Sequence, residues 1–101
     1  MAYSLEQKLP INKLTDFCKR NHIRKLSVFG SALSGRLRPD SDIDILIEFE
    51  QDRTPGLFSI VRMEMELGEA LGRKVDLRTP DDLSQYFRDE VMRNASVQYQ
   101  S

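Results

Sequence analysis

Apolar and polar positions alternate along residues 42–50, with Ile43, Ile45, Ile47 and Phe49 on one side and Asp42, Asp44, Leu46, Glu48 and Glu50 on the other. A period of two predicts a β-strand, because successive side chains of an extended chain point to opposite faces. One face is apolar and the other polar, so the strand belongs to a sheet that helices cover on one side only. The carboxylates of Asp42 and Asp44 then share the open face.

The remaining segments read in the same way. Pro10 suits the first turn of a helix that carries Ile11, Leu14, Phe17 and Cys18 at helical spacing and runs to about Asn21. Lys25–Phe29 is a short strand ending at a Gly30-Ser31 turn, Ala32 to Arg36 suits one or two helical turns, and Arg38-Pro39-Asp40-Ser41 is a loop. After a turn-rich stretch from Asp52 to Gly56, Leu57, Ile60, Val61, Met63, Met65, Leu67 and Leu71 define a long helix, closed by Gly72 in a left-handed cap. Its whole apolar stripe is assigned to the core, the methionines included. Arg73–Arg78 forms a third strand with Val75 and Leu77 inward and Lys74, Asp76 and Arg78 outward. Thr79-Pro80-Asp81-Asp82 opens a last helix that uses Leu83, Tyr86, Phe87 and Val91. Residues 1–9 and 95–101 are expected to be flexible, the segment from Asn94 to Ser101 as a frayed tail.

Composition narrows the class. The length of 101 residues fits one small domain, spanning 1–101, with a thin core; 40% hydrophobic and 31% charged residues fit a soluble globular chain. A net charge of −1 does not suggest a nucleic-acid binder. The apolar runs are too short to span a bilayer, no signal-peptide core is evident, and a single cysteine excludes an internal disulfide. A cytoplasmic location is the expectation, with Cys18 read as a buried core residue.

Candidate chemistry concentrates at two places. A Gly30-Ser31 turn opening a helix offers free backbone N–H groups and a hydroxyl to phosphate oxygens. Asp42 and Asp44 repel one another when ionised, and a divalent cation relieves that repulsion. Phosphate cradle and metal carboxylates together are a minimal kit for phosphoryl or nucleotidyl transfer. Alone, Asp-x-Asp would fit solvent-facing acids that keep a strand soluble; Gly30, Ser31 and Asp76 tip the balance to a site. Ser31 also suits a helix N-cap, and both roles are compatible. Arg36, Arg38, Lys74 and Arg78 read first as solvated charges, and His22 as a contact to a helix C-terminus.

Gly30-Ser31, Asp42-Ile43-Asp44 after residues 32–41, and a lone Asp76 on a later strand resemble the DNA polymerase β-type nucleotidyltransferase superfamily. Val28-Phe-Gly-Ser31, Arg38-Pro-Asp-Ser-Asp-Ile-Asp44, Thr54-Pro-Gly-Leu-Phe58 and Leu71-Gly-Arg-Lys-Val-Asp-Leu77 resemble its minimal members, the MNT proteins, over essentially the whole chain to Val91. The resemblance implies an α/β (α+β) nucleotidyltransferase fold, a small mixed sheet of three to four strands with helices packed on one face. It implies an ATP- and Mg²⁺-dependent enzyme that moves AMP to a tyrosine of a HEPN-domain ribonuclease toxin from a neighbouring gene, acting as its antitoxin. Asp42, Asp44 and Asp76 would be the catalytic and metal-binding residues, holding two Mg²⁺ ions, with Asp76 as general base. Gly30 and Ser31 would hold the triphosphate. Many superfamily members carry Arg just after Gly-Ser; Ala32, Leu33 and Ser34 stand there here, so Arg36 and Arg38 are the candidates to supply the positive charge. Larger relatives add a helical region for the acceptor, and this length leaves no room for one, which points to an acceptor pocket completed by another chain. The rival readings are an antitoxin that acts by binding alone, and the nucleotidyltransferase subunit of a small-molecule-modifying enzyme.

Overall fold

The computed structural model describes residues 9–30, 42–53 and 55–101. Their order is α1 (Ile11–Arg20), β1 (Ile23–Phe29), β2 (Ile43–Phe49), α2 (Leu57–Leu71), β3 (Val75–Arg78), a 3₁₀ turn (Pro80–Asp82), α3 (Gln85–Asn94) and β4 (Ser96–Gln100). The strands form one mixed sheet in the order β3-β2-β1-β4, with β2 and β3 parallel and the other pairs antiparallel. Among the described residues, no helix is long and apolar enough to cross a membrane.

The alternation of β2 is realised. Ile43, Ile45 and Ile47 are fully buried or nearly so, and they share a core with Leu26 and Val28 of β1 and Val75 and Leu77 of β3. Leu14, Phe17 and Cys18 of α1 and Met63, Leu67 and Leu71 of α2 close that core. Burial pushes the Cys18 thiol up to about 12, so it stays protonated and inert. Arg20 ties the two helices together on the surface, donating to Asp16 at 2.9 Å and to Glu66 at 2.6 Å.

Chain punctuation follows local chemistry. Pro10 occupies the N-cap of α1 rather than its first turn, and α1 ends at Arg20. Gly72 caps α2 with φ 71°, the left-handed conformation a side chain disfavours, as expected. Thr79 and Asp82 form a capping box around the 3₁₀ turn. A separate helix follows that turn, with Ser84 as its N-cap, so one continuous last helix is corrected to a turn plus α3.

Four further expectations are corrected. The segment from Asn94 to Ser101 is not a frayed tail: α3 runs through Asn94, and β4 pairs with β1 along the sheet edge, bringing Leu26 opposite Tyr99. Tyr99 packs against the core, which pins this strand. The stripe of α2 is only partly used: Ile60, Met63, Leu67 and Leu71 meet the core, whereas Leu57, Val61 and Met65 are exposed, as is the neighbouring Phe58 at 87%. Tyr86 is 93% exposed and no core residue, and the Phe87 side chain lies outside the described residues. Finally, the polar face of the sheet is partly covered: Leu46 and Ser27, paired across β2 and β1, are buried there, and the 3₁₀ turn lies against β2.

Candidate active site

Register brings the acids together. In the parallel β2–β3 pair, Ile43 stands beside Val75 and Asp44 beside Asp76, with the Ile43 N–H donating to the Lys74 carbonyl at 3.0 Å. Paired residues of neighbouring strands share a face, so Asp44 and Asp76 lie side by side on the face opposite the isoleucines. On the other flank Asp44 stands opposite Phe29 of β1. Asp42, one step before β2, is exposed at the mouth of this face.

The electrostatics record the crowding. The Asp44 carboxyl is held above its ordinary value, first by burial and then by the Asp76 and Asp42 carboxylates, with Arg78 opposing. Arg78 lies two residues beyond Asp76 on the same face, and its Nε and Nη2 donate to Asp76 Oδ2 at 3.3 and 3.2 Å. The i, i+2 spacing puts Arg78 on the face of Asp76, where the sequence favours a solvated charge over one that screens the acid; the structure shows the screening contact. Behind the site, the Leu77 N–H donates to Glu64 Oε2 at 2.8 Å. That contact satisfies an amide of the sheet's edge strand and fixes β3 against α2. No motif announces it.

Gly30 ends β1 with φ +74°. A Cβ there would overlap Asp44 Oδ2 and lie 3.2 Å from its Cγ. The glycine therefore makes room for the carboxylate of Asp44 itself, besides any space it leaves for a substrate. Ser31, Arg36 and Arg38, the other expected phosphate-binding positions, lie outside the described residues, as do the short helix from Ala32 and the loop before Asp42.

Among the described residues, no three Asp, Glu, His or Cys side chains are gathered tightly enough to form a ready-made metal cage. The donor set nevertheless fits Mg²⁺. That ion takes hard oxygen ligands, commonly one or two carboxylates, and fills its shell with waters and substrate phosphates. Asp44 and Asp76 are adjacent, Asp42 is near enough to raise Asp44, and every donor is a carboxylate oxygen. A groove of about 470 Å³ lies elsewhere, between α1 and α2, lined by Leu9, Asn12, Lys13, Phe17 and Ala70 among others. It contains none of the three acids.

Comparison with known proteins agrees with this layout. The nucleotidyltransferase domain model matches residues 11–97. Protein adenylyltransferase MntA of Thermococcus cleftensis is 36% identical over 75 residues, covering 74% of each chain. A solved structure provisionally described as a minimal nucleotidyltransferase superposes with a TM-score of 0.73 at 33% identity, covering 92% of this chain and 94% of that one. The fold also matches, with a TM-score of 0.65 at 22% identity over 90% of this chain and 70% of that one, a structure of the tri-AMPylated HEPN toxin of Shewanella oneidensis in complex with MNT antitoxin. Two acids side by side on one face of a mixed sheet with a third just before the strand, a glycine facing Asp44, and a family match over nearly the whole length converge: the chain belongs to the nucleotidyltransferase domain family and is a nucleotidyltransferase.

Proposed function

We propose that this chain transfers AMP from ATP to a tyrosine of a HEPN-type toxin and acts as the antitoxin of that partner. The observation that carries the reading is the parallel register that sets Asp76 beside Asp44 on the open face, next to the Gly30 turn. Support for the acceptor comes from the adenylyltransferase relative and from the AMPylated toxin complex that shares the fold.

Asp42, Asp44 and Asp76 would hold Mg²⁺, two ions in the full arrangement. When bound, the metal neutralises phosphate charge and makes the acceptor hydroxyl easier to deprotonate. Asp76 takes the acceptor's proton. The hydroxyl oxygen forms a bond to the α-phosphorus, the bond from that phosphorus to the bridging α–β oxygen breaks, and pyrophosphate leaves. Gly30 and Ser31 supply backbone N–H groups to the β- and γ-phosphates, with Arg36 and Arg38 as the candidates to add positive charge. Phe29 and Leu46 line the apolar margin of this face and limit water on one side.

Intact-mass spectrometry of the candidate toxin tests the reading, after incubation with this chain, ATP and Mg²⁺. A gain of one or more AMP units, lost with Asp42→Asn/Asp44→Asn, is the expected result. A stable complex with no mass gain would overturn transfer and leave neutralisation by contact.

A further inference from the structure

The guanidinium on Asp76 has a second consequence. Both N–H groups of Arg78 that reach Asp76 land on one oxygen, Oδ2. A carboxylate oxygen whose lone pairs accept two donors from a cation is a poor metal ligand, since the metal needs those lone pairs and is repelled by the charge. Three carboxylates crowd one face here, and Arg78 is the cation that lowers the Asp44 carboxyl back toward its ordinary range. The pair is also easily parted. The side chains of Arg78 and Asp76 are 48% and 33% exposed, and Arg78 is the last residue of β3, so its side chain can swing into water without disturbing the core.

We infer that Arg78 is the resident counter-cation of the carboxylate cluster, occupying Asp76 Oδ2 until a divalent cation displaces it, so that this arginine sets how much free metal is needed to load the site. The inference rests on the reading of Asp42, Asp44 and Asp76 as the metal ligands. Arg78 acts through Asp76, as a positioning residue; it is given no contact with substrate. Its absence frees an oxygen for metal at the cost of leaving the acids mutually repelled. Arg78→Ala is therefore expected to bind metal more tightly and to be less stable without it. A purely structural arginine would lower stability and leave affinity unchanged or weaker.

The test titrates Mn²⁺ into the full chain without nucleotide, following free Mn²⁺ by electron paramagnetic resonance. Arg78→Ala should tighten binding by about two- to fivefold, the range of a half-exposed ion pair. Arg78→Lys, which keeps the charge, should fall back toward the wild type. In an Asp76→Asn background most of the gain should vanish, leaving only the small effect of Arg78's charge on Asp44. Asp44→Asn separates the two levels. If it weakens Mn²⁺ binding while Arg78→Ala leaves it unchanged or weaker, the counter-cation role is overturned and the metal site stands. If Asp44→Asn binds Mn²⁺ as well as the wild type, the acids are not the ligands and both readings fall. A gain from Arg78→Ala that is undiminished with Asp76→Asn would likewise overturn the role given to Arg78.

Discussion

The two faces of β2 are built from residues one step apart and are held to opposite standards. Ile43, Ile45 and Ile47 are removed from water and stabilise the fold by burying apolar area. Asp44, between two of them, is half-buried among like charges and held partly against ionisation. The first face gains from any set of well-packed hydrocarbons of the right volume; the second crowds like charges that oppose ionisation of Asp44. The odd positions 43, 45 and 47 hold the fold, while the even side carries a strained acid at Asp44, a buried Leu46 and an ion-paired Glu48.

Substitutions on each face break the comparison in different currencies, and the largest effect belongs to the open one. Asp42→Asn/Asp44→Asn is expected to lower AMP transfer by about two to three orders of magnitude, the scale of losing groups that manage developing charge, while thermal unfolding shows no loss of stability. Ile45→Ala on the opposite face should cost about 2–5 kcal/mol in denaturant unfolding, with metal binding unchanged in the fraction that remains folded. Gly30→Ala combines both kinds of effect: the positive φ and the overlap with Asp44 predict a loss of about 1–3 kcal/mol together with weaker metal binding.

A smaller effect sharpens the point through pH. Because the folded Asp44 holds its proton more tightly than the unfolded chain does, its contribution to stability is complete below its ordinary value of 3.8 and is lost as pH rises through the raised value. Metal-free Asp44→Asn should consequently melt above the wild type at neutral pH, and the gap should close on acidification toward 3.8. Added Mg²⁺ should stabilise the wild type and not the variant. Least of all, Phe58→Ser or Met65→Ser on the outer side of α2 should change stability by no more than about 0.5 kcal/mol, since these side chains already face water.

Legibility in the sequence tracked how local the cause was. The alternation of residues 43–49, the left-handed cap at Gly72 and the outward position of Asp76 are each set within a few residues, and each was readable. What escaped depends on distant partners. Residues 96–100 form an edge strand because β1 offers a free flank, which five residues at the end of a sequence do not announce. The stripe on α2 looked wholly internal because periodicity gives a direction and not an extent, and the sheet covers only the turns carrying Met63, Leu67 and Leu71. In the site, the acids were readable from spacing, but the Glu64 contact to Leu77 joins elements whose meeting only the fold decides. Arg78 lay between these cases, close in sequence and undervalued because exposed ion pairs are usually weak.

The register of β3 against β2 carries a consequence for how errors in folding are handled. Sliding β3 by one residue would turn Asp76 toward the helices and Leu77 toward solvent, since side chains reverse with every step. Such a chain would bury an uncompensated charge, expose a leucine and lose its third carboxylate in a single event. It would therefore be a destabilised species rather than a stable but idle fold. Inspection for correct assembly and inspection for competence are one test here, applied at the same pair of residues.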